Sequence, residues 1–142
     1  MIQPDRVVPT TCPYCGVGCQ IDLHVKDGMI YRVNGRFDNQ VNHGNLCVKG
    51  RFGFDFIHAP DRLTAPLVRR DRHEPLGPAH ETTWDAALDL VAGRLRAIRD
   101  AHGPDSIAFL VSAKCTNEEN YLVQKLARAV VGTHNIDHCA RL

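Results

Sequence analysis

Four of the six cysteines in this 142-residue chain are bunched as Cys12-x2-Cys15-x3-Cys19-x27-Cys47. Four thiolates can each bind one iron of a cubane 4Fe–4S cluster, and tight spacing lets three of them wrap around it from one loop. Gly16 and Gly18 lie between ligands, where the lack of Cβ atoms lets the backbone curl closely and aim N–H groups at sulfur. A structural zinc site is the alternative, since Cys-x2-Cys suits zinc, although zinc sites usually use two paired knuckles. Unligated thiols are the third reading. Cys115 and Cys139 fall outside the set and are expected to pack as small buried apolar groups. The eight histidines are scattered, without a metal-binding pair on a helix face. Gly16-x-Gly18 is no dinucleotide fingerprint, because the third glycine and the following helix are missing.

The elements that must position these thiols read as two parts. Arg6 to Thr11, Ile21 to Lys26 and Met29 to Val33 are β-prone, and Asp27-Gly28 is a preferred type I′ hairpin pair. The aromatic-rich run Arg51 to Ile57 reads as a short helix covering that sheet. Further on, Trp84, Ala87, Leu88, Val91, Leu95 and Ile98 share one helical face, with Thr82 and Asp85 as an N-cap arrangement and Gly103-Pro104 as the stop. Ser106 to Ser112 reads as a strand, and Asn117-Glu118-Glu119 as a capped helix start. That helix runs through Ala129 to a stop at Gly132, and Asn135-Ile136-Asp137 begins another strand. Helix, strand, helix, strand implies a parallel sheet with crossovers. The expected fold is therefore mixed: a small β-rich cluster-binding domain over residues 1–60, then the incomplete start of an α/β parallel-sheet domain over residues 81–142. The Pro-containing stretch from Ala59 to Pro78 supplies the connection, set at residues 61–80. Its basic patch of Arg69, Arg70 and Arg72 is offset by Asp71 and Glu74 and reads as a solvated loop. Two parallel strands alone leave faces and edges uncovered, so the sequence reads as the front of something larger.

Composition narrows the classes. Seventeen Lys plus Arg against sixteen Asp plus Glu give a net charge of +1, which argues against a strongly basic nucleic-acid binder and an acidic tail. Apolar runs are too short for membrane insertion. The start, Met1-Ile2-Gln3-Pro4-Asp5-Arg6, shows no export signal, so the expectation is a cytoplasmic chain with reduced thiols.

The motifs Cys12-Pro13-Tyr14-Cys15-Gly16-Val17-Gly18-Cys19 and Val41-Asn42-His43-Gly44-Asn45-Leu46-Cys47-Val48-Lys49-Gly50-Arg51-Phe52-Gly53 resemble the N-terminal iron–sulfur domain of the molybdopterin oxidoreductases. The runs Ser112-Ala113-Lys114-Cys115-Thr116-Asn117-Glu118-Glu119-Asn120-Tyr121 and Gly132-Thr133-His134-Asn135-Ile136-Asp137-His138-Cys139-Ala140-Arg141-Leu142 resemble catalytic subunits of molybdenum or tungsten formate dehydrogenases within that family. Related nitrate reductases share the cysteine spacing.

The resemblance implies that Cys12, Cys15, Cys19 and Cys47 hold a 4Fe–4S cluster and that Lys49 is the electron-relay lysine between cluster and pterin. Read without it, Lys49 is a solvated lysine in the first turn of a helix. The implied reaction is formate to carbon dioxide, with electrons leaving a molybdenum or tungsten bis-molybdopterin guanine dinucleotide singly through Lys49 and the cluster. The implied partners are the remainder of the catalytic subunit and an electron-accepting iron–sulfur or flavin subunit, with no nucleic acid and no membrane insertion. In the family, a metal-ligand cysteine or selenocysteine and a catalytic histidine follow the Ala-Arg-Leu run. The resemblance therefore implies that this chain alone is catalytically inactive, and an in-frame UGA selenocysteine codon after Leu142 is expected, with a cut or otherwise truncated fragment as the alternative. A stand-alone 4Fe–4S electron-transfer module, a nitrate reductase fragment and a zinc-stabilised domain are the competing readings.

Overall fold

The computed structural model describes residues 2–69, 71–75 and 80–139. Arg70 of the basic patch, part of the expected connection (residues 76–79), and Ala140, Arg141 and Leu142 of the terminal motif lie outside the described residues.

Three strands, β1 (Arg6–Thr11), β2 (Gln20–Lys26) and β3 (Met29–Gly35), form an antiparallel sheet in the order β1-β2-β3. Alternation in β2 sends Ile21, Leu23 and Val25 to one face, and Ile21 and Val25 are buried there. Register pairs Thr11 with Gln20 and Val8 with Leu23. Pro9 is tolerated because β1 is an edge strand. The β2–β3 turn has Asp27 at φ 49° and Gly28 at φ 78°, the two positive values that a type I′ turn requires. Asp5 braces it: one carboxylate oxygen accepts from the Asp27 amide at 2.8 Å, and the other meets Lys26 Nζ at 2.7 Å.

The expected single helix from Arg51 to Ile57 is instead two pieces. Helix α1 spans Val48–Phe52, and a 3-10 turn spans Asp55–His58. The break falls at Gly53-Phe54, where Phe54 turns in to pack on the Cys12, Ile21 and Val33 core. His58 Nε2 accepts the Ile30 amide at 2.9 Å, closing this piece onto β3.

The second part starts with a short antiparallel pairing, in which Val68 N donates to His80 O and Thr82 N to Pro66 O. Helix α2 follows at Trp84–His102. Its N-cap is Thr83, whose hydroxyl accepts from the Ala86 amide, so the expected Thr82 cap is displaced by one residue. Gly103, at φ 84°, ends the helix as expected. Strand β4 is shorter than expected, Phe109–Val111, because Pro104–Ser106 winds into a 3-10 turn held by Ser106 Oγ on Gly103 O. Helix α3 spans Asn117–Lys125 and continues as π-helical turns over Leu126–Val131 to Gly132 at φ 90°. Thr116, not Asn117, is its N-cap: Thr116 and Glu119 form a reciprocal capping box. Strand β5 (Ile136–His138) pairs parallel with β4, as the element order implied. Ile107, Ala127, Val131 and Thr133 are buried behind this sheet, whereas no residue of α2 is buried.

Candidate functional site

Antiparallel pairing of β1 and β2 makes residues 12–19 the loop at the end of a hairpin. Cys12 N donates to Cys19 O at 2.8 Å and closes that loop, so the first and third thiols of the motif stand opposite each other. Gly18 takes φ 74°, a left-handed value that glycine adopts without strain.

Cys47 must be brought to this loop from the far side of β3, and a polar clamp does so. Asn42 is buried; its Oδ1 accepts the Gln20 amide at 2.8 Å, and its Nδ2 donates to Gln20 O at 3.2 Å and Asn45 O at 2.9 Å. One amide side chain thus ties the segment before Cys47 to the residue after Cys19. His43 at φ 45° and Gly44 at φ 81° then reverse the chain, and Cys47 arrives as the N-cap of α1. The Tyr14 hydroxyl donates to Gly53 O at the other end of α1, fixing the helix against the cysteine loop. Gly50 lets α1 pass close by: a Cβ there would lie 3.4 Å from Cys12 Sγ.

These devices bring all four cysteines of the motif onto one cavity of about 480 Å³, lined also by Val17, Val41 and Leu46. The electrostatics report the same convergence. Burial pushes the Cys19 thiol up, and the neighbouring sulfurs of Cys12, Cys15 and Cys47 push it further. Cys47 is held below its ordinary value, first by the Gly50 amide and then by that of Lys49. Its sulfur makes no side-chain cap of ordinary hydrogen-bond geometry. The pull is that of exposed helix N-terminal amides on a thiolate. Among the described residues no group of three or more His, Cys, Asp or Glu side chains forms a site for a metal ion. Four sulfurs around a cavity of this size suit a larger, multi-atom group with four attachment points.

Lys49 is exposed on α1 and does not line the cavity. Cys115 is half-buried and Cys139 exposed, so the expected burial of Cys139 is wrong: it lies beyond β5, with its Sγ 3.1 Å from Ser112 Oγ. That contact lowers the Cys139 thiol pKa first, and the Ala113 amide adds to it. All six cysteines are free. A second cavity, of about 390 Å³, opens where β4 and β5 end and is lined by Ser112, Asn120, Gln124, Arg128 and His138. Carboxyl ends of parallel strands are where α/β sheets bind ligands. Asn42 and Tyr14 were not read as site residues from sequence; the only sequence signal for either is its closeness to a cysteine.

Residues 5–59 match the family model described as "Molybdopterin oxidoreductase Fe4S4 domain", and residues 62–142 match the one described as "Molybdopterin oxidoreductase". The F420-dependent formate dehydrogenase 2 subunit alpha of Methanococcus maripaludis is 47% identical over 137 residues, 96% of this chain and 19% of that protein. The F420-dependent formate dehydrogenase subunit alpha of Methanocaldococcus jannaschii is 45% identical over 137 residues, again 96% of this chain and 19% of that protein. The chain thus spans about a fifth of the length of these relatives. With both parts matched in chain order and the cysteine loop on the first of them, the chain belongs to the molybdopterin oxidoreductases.

Proposed function

We propose that this chain is the cluster-binding, N-terminal part of a formate dehydrogenase catalytic subunit. The observation that carries the site is the convergence of Cys12, Cys15, Cys19 and Cys47 on one cavity, where burial first and then the sulfurs of Cys12, Cys15 and Cys47 raise the proton affinity of Cys19. Four crowded thiolates repel one another, and binding iron removes that cost. The formate assignment draws on the similarity to two relatives named as formate dehydrogenase alpha subunits. When bound, the cluster passes single electrons, and a molybdenum or tungsten pterin takes electron pairs from substrate.

In this reading residues 1–60 hold the cluster, residues 61–80 connect, and residues 81–142 begin the pterin-binding region, in the cytoplasm. Both relatives are named as alpha subunits, which supports further subunits; an iron–sulfur or flavin subunit is the acceptor this reading calls for. Cys47 and the cysteine loop bind iron, and the α1 amides at Cys47 offset its charge. Lys49, two residues beyond, sets an exposed ammonium on α1, which would offer a hydrogen bond to an acceptor on a pterin bound there.

Anaerobic reconstitution tests the site. Iron and sulfide are each expected at about four per chain, as a cubane requires. Cys19→Ala should abolish uptake, and Cys115→Ala should leave it intact. One zinc per chain, with no broad visible absorbance, would overturn the assignment in favour of a structural zinc domain.

A further inference from the structure

We infer that Asn117 is a positioning residue that latches the cysteine-bearing loop, through the Gly16 carbonyl, to the first turn of α3. Asn117 Nδ2 donates to Gly16 O at 2.7 Å across 101 residues of sequence. Gly16 sits between Cys15 and Cys19, so this bond grips the loop at its middle. The reason for glycine at this position points the same way. Gly16 does not have a left-handed φ, and a Cβ built on it would meet Asn117 Oδ1 at 2.7 Å and Cγ at 3.6 Å, with nothing else within 4 Å. The backbone would accept alanine, but the Asn117 amide would have to swing aside and give up its bond to Gly16 O.

The latch is rigid at its other end. The capping box of Thr116 and Glu119 fixes the turn from which Asn117 projects. Asn120, one turn on, donates to Thr116 O at 3.0 Å and Ser112 O at 3.3 Å, binding that turn to the chain leaving β4. The loop carrying three thiols is therefore referenced to the carboxyl end of the parallel sheet. Electron passage between the two parts depends on that separation being held, and Asn117 holds it from one side.

The proposal rests on the cluster-binding reading, so one arm of its test needs no cluster. In the metal-free chain, Asn117→Ala should speed alkylation of Cys15 by iodoacetamide about threefold, because the loop is released into local opening. In the reconstituted chain, Asn117→Leu keeps the approximate shape, adds no charge and cannot donate. It should shift the midpoint potential and the paramagnetic resonance signal of the reduced cluster at unchanged iron content. Gly16→Ala should lose iron to a chelator roughly tenfold faster than the parent, and adding Asn117→Ala should return the rate to that of Asn117→Ala alone, the non-additivity expected of residues in contact. If Asn117 merely supports α3, its variants lower the thermal midpoint but leave Cys15 alkylation and the potential unchanged, and its effect adds to that of Gly16→Ala. Either result overturns the latch. A parent chain that takes up no iron and sulfide would overturn the cluster assignment instead, with the alkylation arm still deciding the role of Asn117.

Discussion

Asn42 satisfies the N–H of Gln20 and shares the Gln20 C=O with the Arg36 amide, so removing its amide strands the Gln20 N–H beside Cys19. Asn42→Ala is expected to destabilise the chain by about 1–3 kcal/mol, the cost of leaving buried polar groups unpaired. Urea unfolding measures it, and a midpoint equal to that of the parent would show that water replaces the clamp without loss. Lys49 carries a different expectation, since its side chain is exposed on α1. Within the enzyme containing this segment, Lys49→Ala should keep its iron yet slow formate-to-acceptor turnover by roughly tenfold or more. Unchanged turnover would return Lys49 to a solvated lysine. At this scale the convergence of the four cysteines on one cavity was legible, because three of them fall within eight residues. Asn42 and Asn117 were not legible as site residues, because a side chain that braces a ligand loop can come from any distance, here three residues from one ligand-side partner and 101 from another. Cys139 was misread because β5 itself is uncovered, with Asp137 and His138 exposed along it.

The β2–β3 hairpin is the element whose chemistry is simplest to test. A Cβ on Gly28 would meet nothing within 4 Å, so Gly28→Ala costs only the torsional strain of φ 78°, about 1 kcal/mol. A thermal midpoint above that of the parent would contradict this. Asp5 gives the same hairpin a pH dependence. The Lys26 ammonium, and after it the Asp27 amide, hold the Asp5 carboxyl below its ordinary value. Its support is therefore complete above the ordinary carboxylate range and fades as pH falls through the depressed folded value. The gap in thermal midpoint between the parent and Asp5→Asn should narrow from neutral pH to about pH 3. A constant gap would remove Asp5 from the account. The hairpin and its edge strand were legible because alternation and Asp-Gly are local signals. The boundaries of α1, β4 and α3 were less so. Each is set by tertiary events invisible in a window of sequence: Phe54 turning into the core, a 3-10 turn after Gly103, and the reciprocal bonds that make Thr116 the cap.

Across the whole molecule, burial is uneven. Trp84, Leu88 and Val91 are 66%, 58% and 54% exposed on α2, and Leu110 of β4 is 86% exposed. A helix with an apolar stripe that buries nothing is built for a surface supplied from elsewhere. The emission of Trp84, the single tryptophan, should sit at water-exposed wavelengths and quench readily with iodide. Binding of a hydrophobic dye to the chain should fall in Leu88→Glu. Shielded emission from a monomer would mean that α2 folds back on its own chain. The antiparallel sheet, by contrast, is complete in itself, and that has a consequence for the order of assembly. Its strands pair only with neighbours in the chain, a low-contact-order arrangement whose hairpins close on the order of microseconds. Cys12, Cys15 and Cys19 are thus presented together on one hairpin end as soon as that hairpin forms, ahead of the later, less local closure through Asn42 that delivers Cys47. If the four thiols hold a cluster, three of its corners are therefore in place on the nascent chain before the fourth, Cys47, arrives to close it.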